Sequence, residues 1–448
     1  MALEASVFKA YDVRGIHPTQ IDEDGAYAVG RAYVEEFEPK AIAVGRDMRT
    51  HGPAMADAAI RGALHGGADV VELGMIGTEM LYHAVGELGL DGGIAVTASH
   101  NPKEYTGMKV VRRGARPVGG SDLLRIRDRA LCSFASWEPV DPGEWSEHNV
   151  YPGWAERVLS FIDVASIRPL RVVIDGANGM AGAMLPPVLA QLPIDAVCCH
   201  FEPDGTFPHH EPNPLLPKNR AFVAEKVTEE GADLGLAFDG DADRCFFVDD
   251  KGEFVPGDFI TALLAKTMLK KEPGATVIYD VRASWAVPDL VEAAGGTALI
   301  NRVGHAFIKQ RMRETDAAFG GEVSGHYYFR AFHQADTGTV PALLMLELIS
   351  REDRPLSQLV QPLRERYFLS GELNTPVDDI AVKVQEIKER FGPQGEISHL
   401  DGVSVMSEDW HLNVRPSNTE PLLRLNVEAR SRELMERKRD EALAIMRA

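Results

Sequence analysis

The sequence predicts an α/β protein of several domains with mixed, mostly parallel sheets, and two observations carry that expectation. Apolar, β-rich runs alternate with stretches of helical spacing along most of the chain, the order that yields right-handed βαβ units. Repeatedly, such a run breaks at its end into a small polar loop: Thr97-Ala98-Ser99-His100-Asn101-Pro102, Asp239-Gly240-Asp241-Ala242-Asp243-Arg244 and Gly321-Glu322-Val323-Ser324-Gly325-His326. That recurrence hints at a degenerate internal repeat. With 448 residues, and about 150 per domain as a guide, the chain has room for three domains or four smaller ones.

Taken in order, Phe8 to Gly15 is a short extended segment stopped by glycine, an edge strand carrying Lys9 and Arg14. Ile21 to Phe37 has helical spacing, with Ala26, Val29, Ala32, Tyr33 and Phe37 toward one face. A strand at Ala41–Val44, a helix at Pro53–Leu64, a strand at Asp69–Leu73 and a helix at Glu79–Leu88 follow. The next strand, Gly93–Val96, delivers Ser99, and Tyr105–Lys109 is a short β-like run. Trp137 to Tyr151, rich in Pro, Gly, Glu and Trp without periodicity, reads as a linker, so the first domain spans 1–150. The second, 151–251, opens with the strand Leu170–Asp175 and its glycine-punctuated turn, crosses a long irregular loop from Pro203 to Pro214, and reaches the strand Leu234–Phe238. The third, 252–365, carries a helix at Asp258–Leu269, strands at Ala275–Tyr279 and Ala298–Asn301, and a helix at His305–Glu314. The last, 366–448, changes character: a helix at Ile380–Phe391, a strand at Val403–Met406, a polar loop over Trp410–Pro421, a strand with alternating Leu423, Leu425 and Val427, and a closing helix at Glu433–Ala448.

Composition excludes several classes. A formal net charge of −20 argues against nucleic acid, which needs a basic surface to displace counterions. No run of about 18 apolar residues is present and Met1 to Lys9 lacks a signal-peptide core, so no membrane partner and a cytoplasmic location are expected. Cys132, Cys198, Cys199 and Cys245 lack C-x-x-C spacing and read as reduced thiols.

The chemistry concentrates at the loops. A serine at a strand's end is held still by the strand while its loop faces the crevice where open sheets bind ligands, so Ser99 is a candidate nucleophile or phosphoryl carrier. It is equally suited to capping a helix or closing a turn. Lys109 is either a solvated lysine or, near a phosphate, an anion binder or proton carrier. Asp239, Asp241 and Asp243 stand at i, i+2 and i+4 directly after a strand. Carboxylates so crowded repel unless a cation gathers them, and oxygen-only ligands suit a hard ion such as Mg²⁺. An EF-hand is excluded because its sixth and twelfth positions would be Arg244 and Asp250 rather than Gly and Glu. Such an ion keeps a place for an oxygen from Ser99 or its phosphate. Glu322 and Ser324, flanked by glycines, can grip sugar hydroxyls or lie in a solvated turn, whereas His305 and His326 taken singly are structural. Arg415, Ser417, Asn418 and Thr419 offer the inventory of an anion nest, or the polar turn of a β-hairpin.

Together, TASHNP, DGDADR, GEVSGH and RPSNTEP, in this order, resemble the four signature loops of the α-D-phosphohexomutases. FKAYDVRG, GRDMR, YTGMK and IDGANG extend the likeness over the whole chain. Asn418 and the PDGTFPHHEPNP loop place it nearer the bacterial phosphomannomutase/phosphoglucomutase branch than the phosphoglucosamine mutases, which tend to carry glycine at that asparagine. His51, Lys9 and Val323 depart from the pattern and blur substrate choice without touching the chemistry.

The resemblance implies three similar α/β domains and a C-terminal α+β domain around one central cleft. It implies interconversion of hexose 6-phosphate and hexose 1-phosphate, of mannose and/or glucose, through phosphoserine at Ser99 and a hexose 1,6-bisphosphate that is both intermediate and activator. Mg²⁺ would be held by Ser99, Asp239, Asp241 and Asp243. Arg14, Lys109 and Arg244 would surround the transferring phosphoryl group, Lys109 as general acid or base, with His305 assisting proton transfer. Glu322, Ser324 and His326 would contact the sugar, and Arg415, Ser417, Asn418, Thr419 and Arg424 the phosphate that is not reacting. The partners expected are small-molecule hexose phosphates, in a monomer or homodimer. Phosphoglucosamine mutase, a metal-dependent sugar phosphatase and a non-catalytic sugar-phosphate sensor are the alternatives.

Overall fold

A computed structural model describes residues 2–132, 137, 140–417 and 422–448. The chain forms two compact units, Met1–Phe254 with Ser324–Pro355, and Val255–Val323 with Leu356–Ala448. No helix among the described residues is long and apolar enough to cross a membrane.

The first unit contains a seven-stranded sheet. Ala41–Arg46 lies parallel to Asp69–Met75 and to Gly92–Val96. Tyr105–Arg112 returns antiparallel to Gly92–Val96, and Val13–Ile16 forms the edge beyond it. The edge strand does not stop at glycine: Gly15 pairs with Thr106 inside it. The 137–151 stretch is not wholly irregular either, because Trp145–Glu147 adds a strand parallel to Asp69–Met75 and Tyr151 opens a helix. That strand is three exposed residues, too short to show a period. Helices Glu23–Phe37 and Gly52–His65 cover the sheet. The first begins at Asp22, whose side chain accepts from Gly25 N–H at 2.9 Å. The two cross closely because Gly30 and Gly62 lack side chains: a Cβ at Gly62 would sit 2.1 Å from the Tyr27 carbonyl.

A second sheet in this unit repeats the theme. Leu170–Asp175 lies parallel to Ile194–Cys199 and to Leu234–Phe238, and Cys245–Val248 turns back antiparallel on the last. In both sheets a fully buried strand ends in a polar loop and the chain folds back along it. Several helices escaped the periodicity reading, Ser121–Ala130, Pro217–Glu230, Ala286–Ala293 and Leu356–Arg366 among them, and one has a clear physical reason. Thr339–Arg351 is buried nearly throughout, so it presents no polar face and no 3.6-residue alternation. All four cysteines are free thiols.

The second unit joins an α/β part to an antiparallel one. Thr276–Asp280 lies parallel to Thr297–Asn301 and to Phe319–Gly321. The C-terminal sheet pairs Trp410–Pro416 with Val403–Met406 and with Leu422–Ala429, which also pairs with Leu373–Pro376. Helices Ile380–Phe391 and Arg432–Arg447 bury Ile387, Phe391, Met435 and Met446 against Leu412, Val414, Leu423 and Leu425. The expected loop over 410–421 is therefore corrected. Its first seven residues are a strand, with Trp410, Leu412 and Val414 in the core alternating with polar His411, Asn413 and Arg415, a period of two that reading the segment as one polar loop passed over.

Candidate active site

The strand Gly92–Val96 is buried along its length, and three residues beyond its end Ser99 adopts φ of +51°, in the left-handed region. Its own N–H donates to Thr97 Oγ1 at 2.8 Å. Arg49, from the GRDMR segment, fixes the loop from beneath: its guanidinium donates to the carbonyls of Ser99, Asn101, Pro102 and Tyr105 at 2.6–3.0 Å. Ser99 is only 2% exposed, and its Oγ donates to Asp239 Oδ2 at 2.9 Å. Gly240 permits this approach, since a Cβ there would lie 2.4 Å from the Ser99 carbonyl oxygen.

The returning strand Tyr105–Arg112 carries Lys109, whose Nζ donates to Asp241 Oδ2 at 2.7 Å and also to Asp243. Arg244 donates to Asp239 Oδ2 from Nη2 at 2.6 Å and lies 3.3 Å from Ser99 Oγ. Thr78 Oγ1 donates to Asp241 at 2.5 Å. His100 Nδ1 is 3.2 Å from Ser99 Oγ, and His326 Nε2 is 3.7 Å from Asp243 Oδ1. Arg14 donates to Asp12 at 2.8 Å and to the Asn101 side-chain oxygen at 2.7 Å. Ser324 Oγ lies 3.1 Å from His326 Nδ1. The first unit thus brings together Arg14, Ser99, Lys109, Asp239, Asp241, Asp243, Arg244 and His326.

Burial sets the electrostatics. It pushes the Asp239 carboxyl up to about 7, a rise that Arg244 opposes and that Asp241 and Asp243 reinforce. Burial works against the Lys109 ammonium, but Asp241 and Asp243 more than reverse it and hold the lysine charged. Arg244 is raised likewise, by Asp239 and Asp243 against burial. Burial, with Arg244, Arg14 and Lys109 adding to it, holds His100 well below the usual imidazole range, so it is neutral.

These residues fit a hard divalent cation. One oxygen from each of Asp239, Asp241 and Asp243 lies within 4.8 Å of the others, and the buried Asp241 Oδ1 has no hydrogen-bond partner among the described residues. Lys109 lies against this set as a fixed positive charge. A different cluster with metal-ligand chemistry, Asp175 with His200 and His210, is closed by hydrogen bonds of 2.9 and 3.0 Å between carboxylate and rings.

The second unit holds His305, Glu322, Arg415, Ser417 and Arg424, set beside further arginine and carboxylate groups. Glu322 Oε1 accepts from Gly304 N–H at 2.8 Å, next to His305 at the first position of its helix. Arg282, gripped by both oxygens of Asp280 at 2.9 Å, lies 3.8 Å from Glu322. Arg415 and Arg424 face each other on paired strands, and Arg424 Nη2 lies 3.2 Å from Ser417 Oγ. Asn418 and Thr419 lie outside the described residues.

Models of the phosphoglucomutase/phosphomannomutase domains match the chain four times over: α/β/α domain I at residues 5–132, domain II at 152–252, domain III at 256–367 and the C-terminal domain at 372–445. The chain belongs to the phosphoglucomutase/phosphomannomutase family. It is 43% identical over 432 residues to a phosphomannomutase of Escherichia coli K12, covering 94% of each chain. To the phosphohexose mutases of Xanthomonas campestris pv. campestris it is 42% identical over 425 residues, covering 94% of this chain and 95% of the other. A crystal structure of a phosphoglucomutase/phosphomannomutase family protein from Burkholderia thailandensis superposes with a TM-score of 0.90 at 32% identity, covering 99% of this chain and 97% of that one. This family member is therefore an isomerase-type phosphotransferase acting on hexose phosphates. The three α/β domains and the C-terminal α+β domain are those of the mutase fold.

Within this mutase, several structurally central residues went unassigned by motif reading. Arg49 and Thr78 contact the loops rather than forming part of them, and His100 sat in TASHNP beside the more reactive Ser99. Arg49 is buried and pairs with Asp47 of its own GRDMR segment at 3.3 Å, but the carbonyls it grips lie about fifty residues away in sequence. Arg282 and Glu372 carried no motif at all.

Proposed function

We propose that the enzyme interconverts hexose 6-phosphate and hexose 1-phosphate, of mannose and/or glucose, through a phosphoserine at Ser99 and a hexose 1,6-bisphosphate. The observation that carries this reading is the convergence on the Ser99 oxygen of a carboxylate that also belongs to the Asp239, Asp241 and Asp243 set, and of the Arg244 guanidinium. A bound Mg²⁺ would neutralise charge on the phosphoryl oxygens. The chain's own groups do the rest, because phosphoryl transfer depends on positioning and charge neutralisation.

The P–O bond to Ser99 breaks as one forms to a sugar hydroxyl, which loses its proton while the serine oxygen gains one. Lys109, held as an ammonium, is suited to delivering that proton; it becomes a base only if its two carboxylates are neutralised by another charge. Arg14 and Arg244 stabilise the moving phosphoryl group, and His305 assists proton transfer. Glu322, Ser324 and His326 orient sugar hydroxyls. Arg415, Ser417, Asn418, Thr419 and Arg424 bind the phosphate that is not reacting.

A coupled assay over mannose, glucose and glucosamine phosphates, with trace hexose 1,6-bisphosphate, tests the reading alongside intact-mass spectra. Isomerised mannose or glucose phosphate and a phosphorylated fraction mapping to Ser99 are expected. Turnover confined to glucosamine phosphate would assign the other branch, and inorganic phosphate released without isomer would make the protein a phosphatase.

A further inference from the structure

Glu372 is placed where three guanidiniums meet. Its Oε2 accepts from Arg282 Nη1 and from Arg415 Nη2, each at 3.2 Å, and its Oε1 accepts from Arg424 Nη1 at 3.5 Å. It stands immediately before the strand Leu373–Pro376, which pairs with the strand bearing Arg424, and immediately after Gly371 at φ of +68°. The carboxylate is therefore fixed to the same sheet as Arg415 and Arg424, while Arg282 arises from the α/β part of the same unit. Arg282 is already neutralised by both oxygens of Asp280. One carboxylate then serves Arg415 and Arg424 together, so the pair carries one positive charge more than its hydrogen-bonded carboxylate, with Asp401 acting on Arg415 only at longer range. The buried Nε of each has no hydrogen-bond partner among the described residues.

Guanidiniums so close repel, and a flexible arginine arm that must be ordered during binding costs affinity. A single carboxylate between them removes both penalties without consuming the positive charge that would attract a phosphate. We propose that Glu372 is a positioning residue for substrate binding: it holds Arg415 and Arg424 in register with Arg282, so that a sugar phosphate meets a preassembled pair of guanidiniums. This rests on the reading of Arg415 and Arg424 as phosphate ligands. The opposite role, an internal anion that the phosphate must displace, makes the contrary prediction for affinity.

Glu372→Gln keeps the shape and removes the charge, and Glu372→Asp keeps the charge one methylene back. Steady-state kinetics on hexose 1-phosphate should show KM rising about tenfold for Glu372→Gln, the loss of roughly one hydrogen-bonded charge contact's preorganisation. The change in kcat should be much smaller, and Glu372→Asp should recover part of the loss. A fall in KM would overturn the proposal in favour of a displaced anion. An unchanged KM, or a fall in kcat alone, would also overturn it by reducing Glu372 to a structural part. Arg415→Ala, measured alongside, separates the two levels. If it leaves KM unaltered, the phosphate-binding reading of this loop fails; if it raises KM while Glu372→Gln does not, only the role of Glu372 fails. Should Glu372→Gln fold poorly, Glu372→Asp decides alone: no rise in its KM overturns the proposal.

Discussion

Two charged clusters in this enzyme are built on opposite signs. In the first unit, Asp239, Asp241 and Asp243 crowd together and are answered by Lys109 and Arg244. In the second, Arg282, Arg415 and Arg424 crowd together and are answered by Asp280 and Glu372. Each cluster keeps like charges buried at a cost to stability that no apolar packing of the same volume would incur. Counting only the partners in hydrogen-bond contact, each also keeps an excess of one sign, which suits it to a ligand of the other: a divalent cation on the carboxylates, a phosphate on the guanidiniums. The difference lies in how they are assembled. The carboxylates sit on one turn after one strand, whereas Arg415 and Arg424 come from paired strands of one sheet and Arg282 from the turn after a strand of another.

The comparison is broken most severely at the carboxylates. Ser99→Ala should lower kcat by about a thousandfold or more, because the oxygen that carries the phosphoryl group is gone. Asp241→Ala should do the same with little change in Tm, since it relieves a three-way repulsion as well as removing a partner of Lys109. Chelator should abolish wild-type activity, and Mg²⁺ should restore the wild type but not Asp241→Ala. Full activity in chelator would show the carboxylates to be held by Lys109 and Arg244 alone, with no metal in the reaction.

At the arginines the effect should be smaller and of another kind. Losing one guanidinium contact to a phosphate costs roughly 1.5–3 kcal/mol, about ten- to a hundredfold in binding. Arg415→Ala should therefore lower kcat/KM for sugar phosphates by that factor, while hydrolysis of phosphorylated Ser99 by water hardly changes, since water presents no second phosphate. An equal loss in both activities would make Arg415 a structural residue of its strand.

Assembly also decided what the sequence disclosed. A cluster spaced at i, i+2 and i+4 behind a buried strand is local, so Asp239, Asp241, Asp243 and the serine loop are readable without a fold. Elements whose faces differ were readable as well: the helix Ile380–Phe391 and the strand Val403–Met406 fall where their alternation predicts. Thr339–Arg351 was not, because burial on nearly every side erases the period. Arg415 was recognised as a residue but misplaced on a loop, because its polar neighbours were read as loop composition although Trp410, Leu412 and Val414 alternate with them as in a strand. Arg282 and Glu372, ninety residues apart, meet only through the fold, and no spacing rule reaches that far. Arg49 needed the fold too, since what it grips is the backbone of another loop.

A third charged cluster, with its signs in balance, sharpens the comparison with the smallest expected effect. His210 Nδ1 lies 2.9 Å from the Glu211 carbonyl and its Nε2 3.0 Å from Asp175 Oδ2. Both partners can only accept, so both ring nitrogens donate and the ring is an imidazolium. Burial works against that cation, but the hydrogen bond and charge of Asp175 raise its pKa above the usual value. Burial likewise opposes the Asp175 carboxylate, yet the bonds from His200 and His210 bring it down from 3.8 to about 2. By linkage, the Asp175 contribution, at most about 2 kcal/mol, is present above its unfolded pKa and is lost as pH falls through about 2. The His210 contribution has the opposite sign: it is complete below the unfolded value of 6.5 and is lost as pH rises through the higher folded one. The cluster thus stabilises most between roughly pH 4 and 6.5. His210→Gln should lower Tm most in that window, the gap from wild type should narrow toward pH 9, and kcat should be unaffected, because a balanced cluster has no excess charge to offer a ligand. A gap that widened with rising pH would mean the ring is neutral, with Nε2 unprotonated against a carboxylate oxygen, and the balance of charge assigned to this cluster would be wrong.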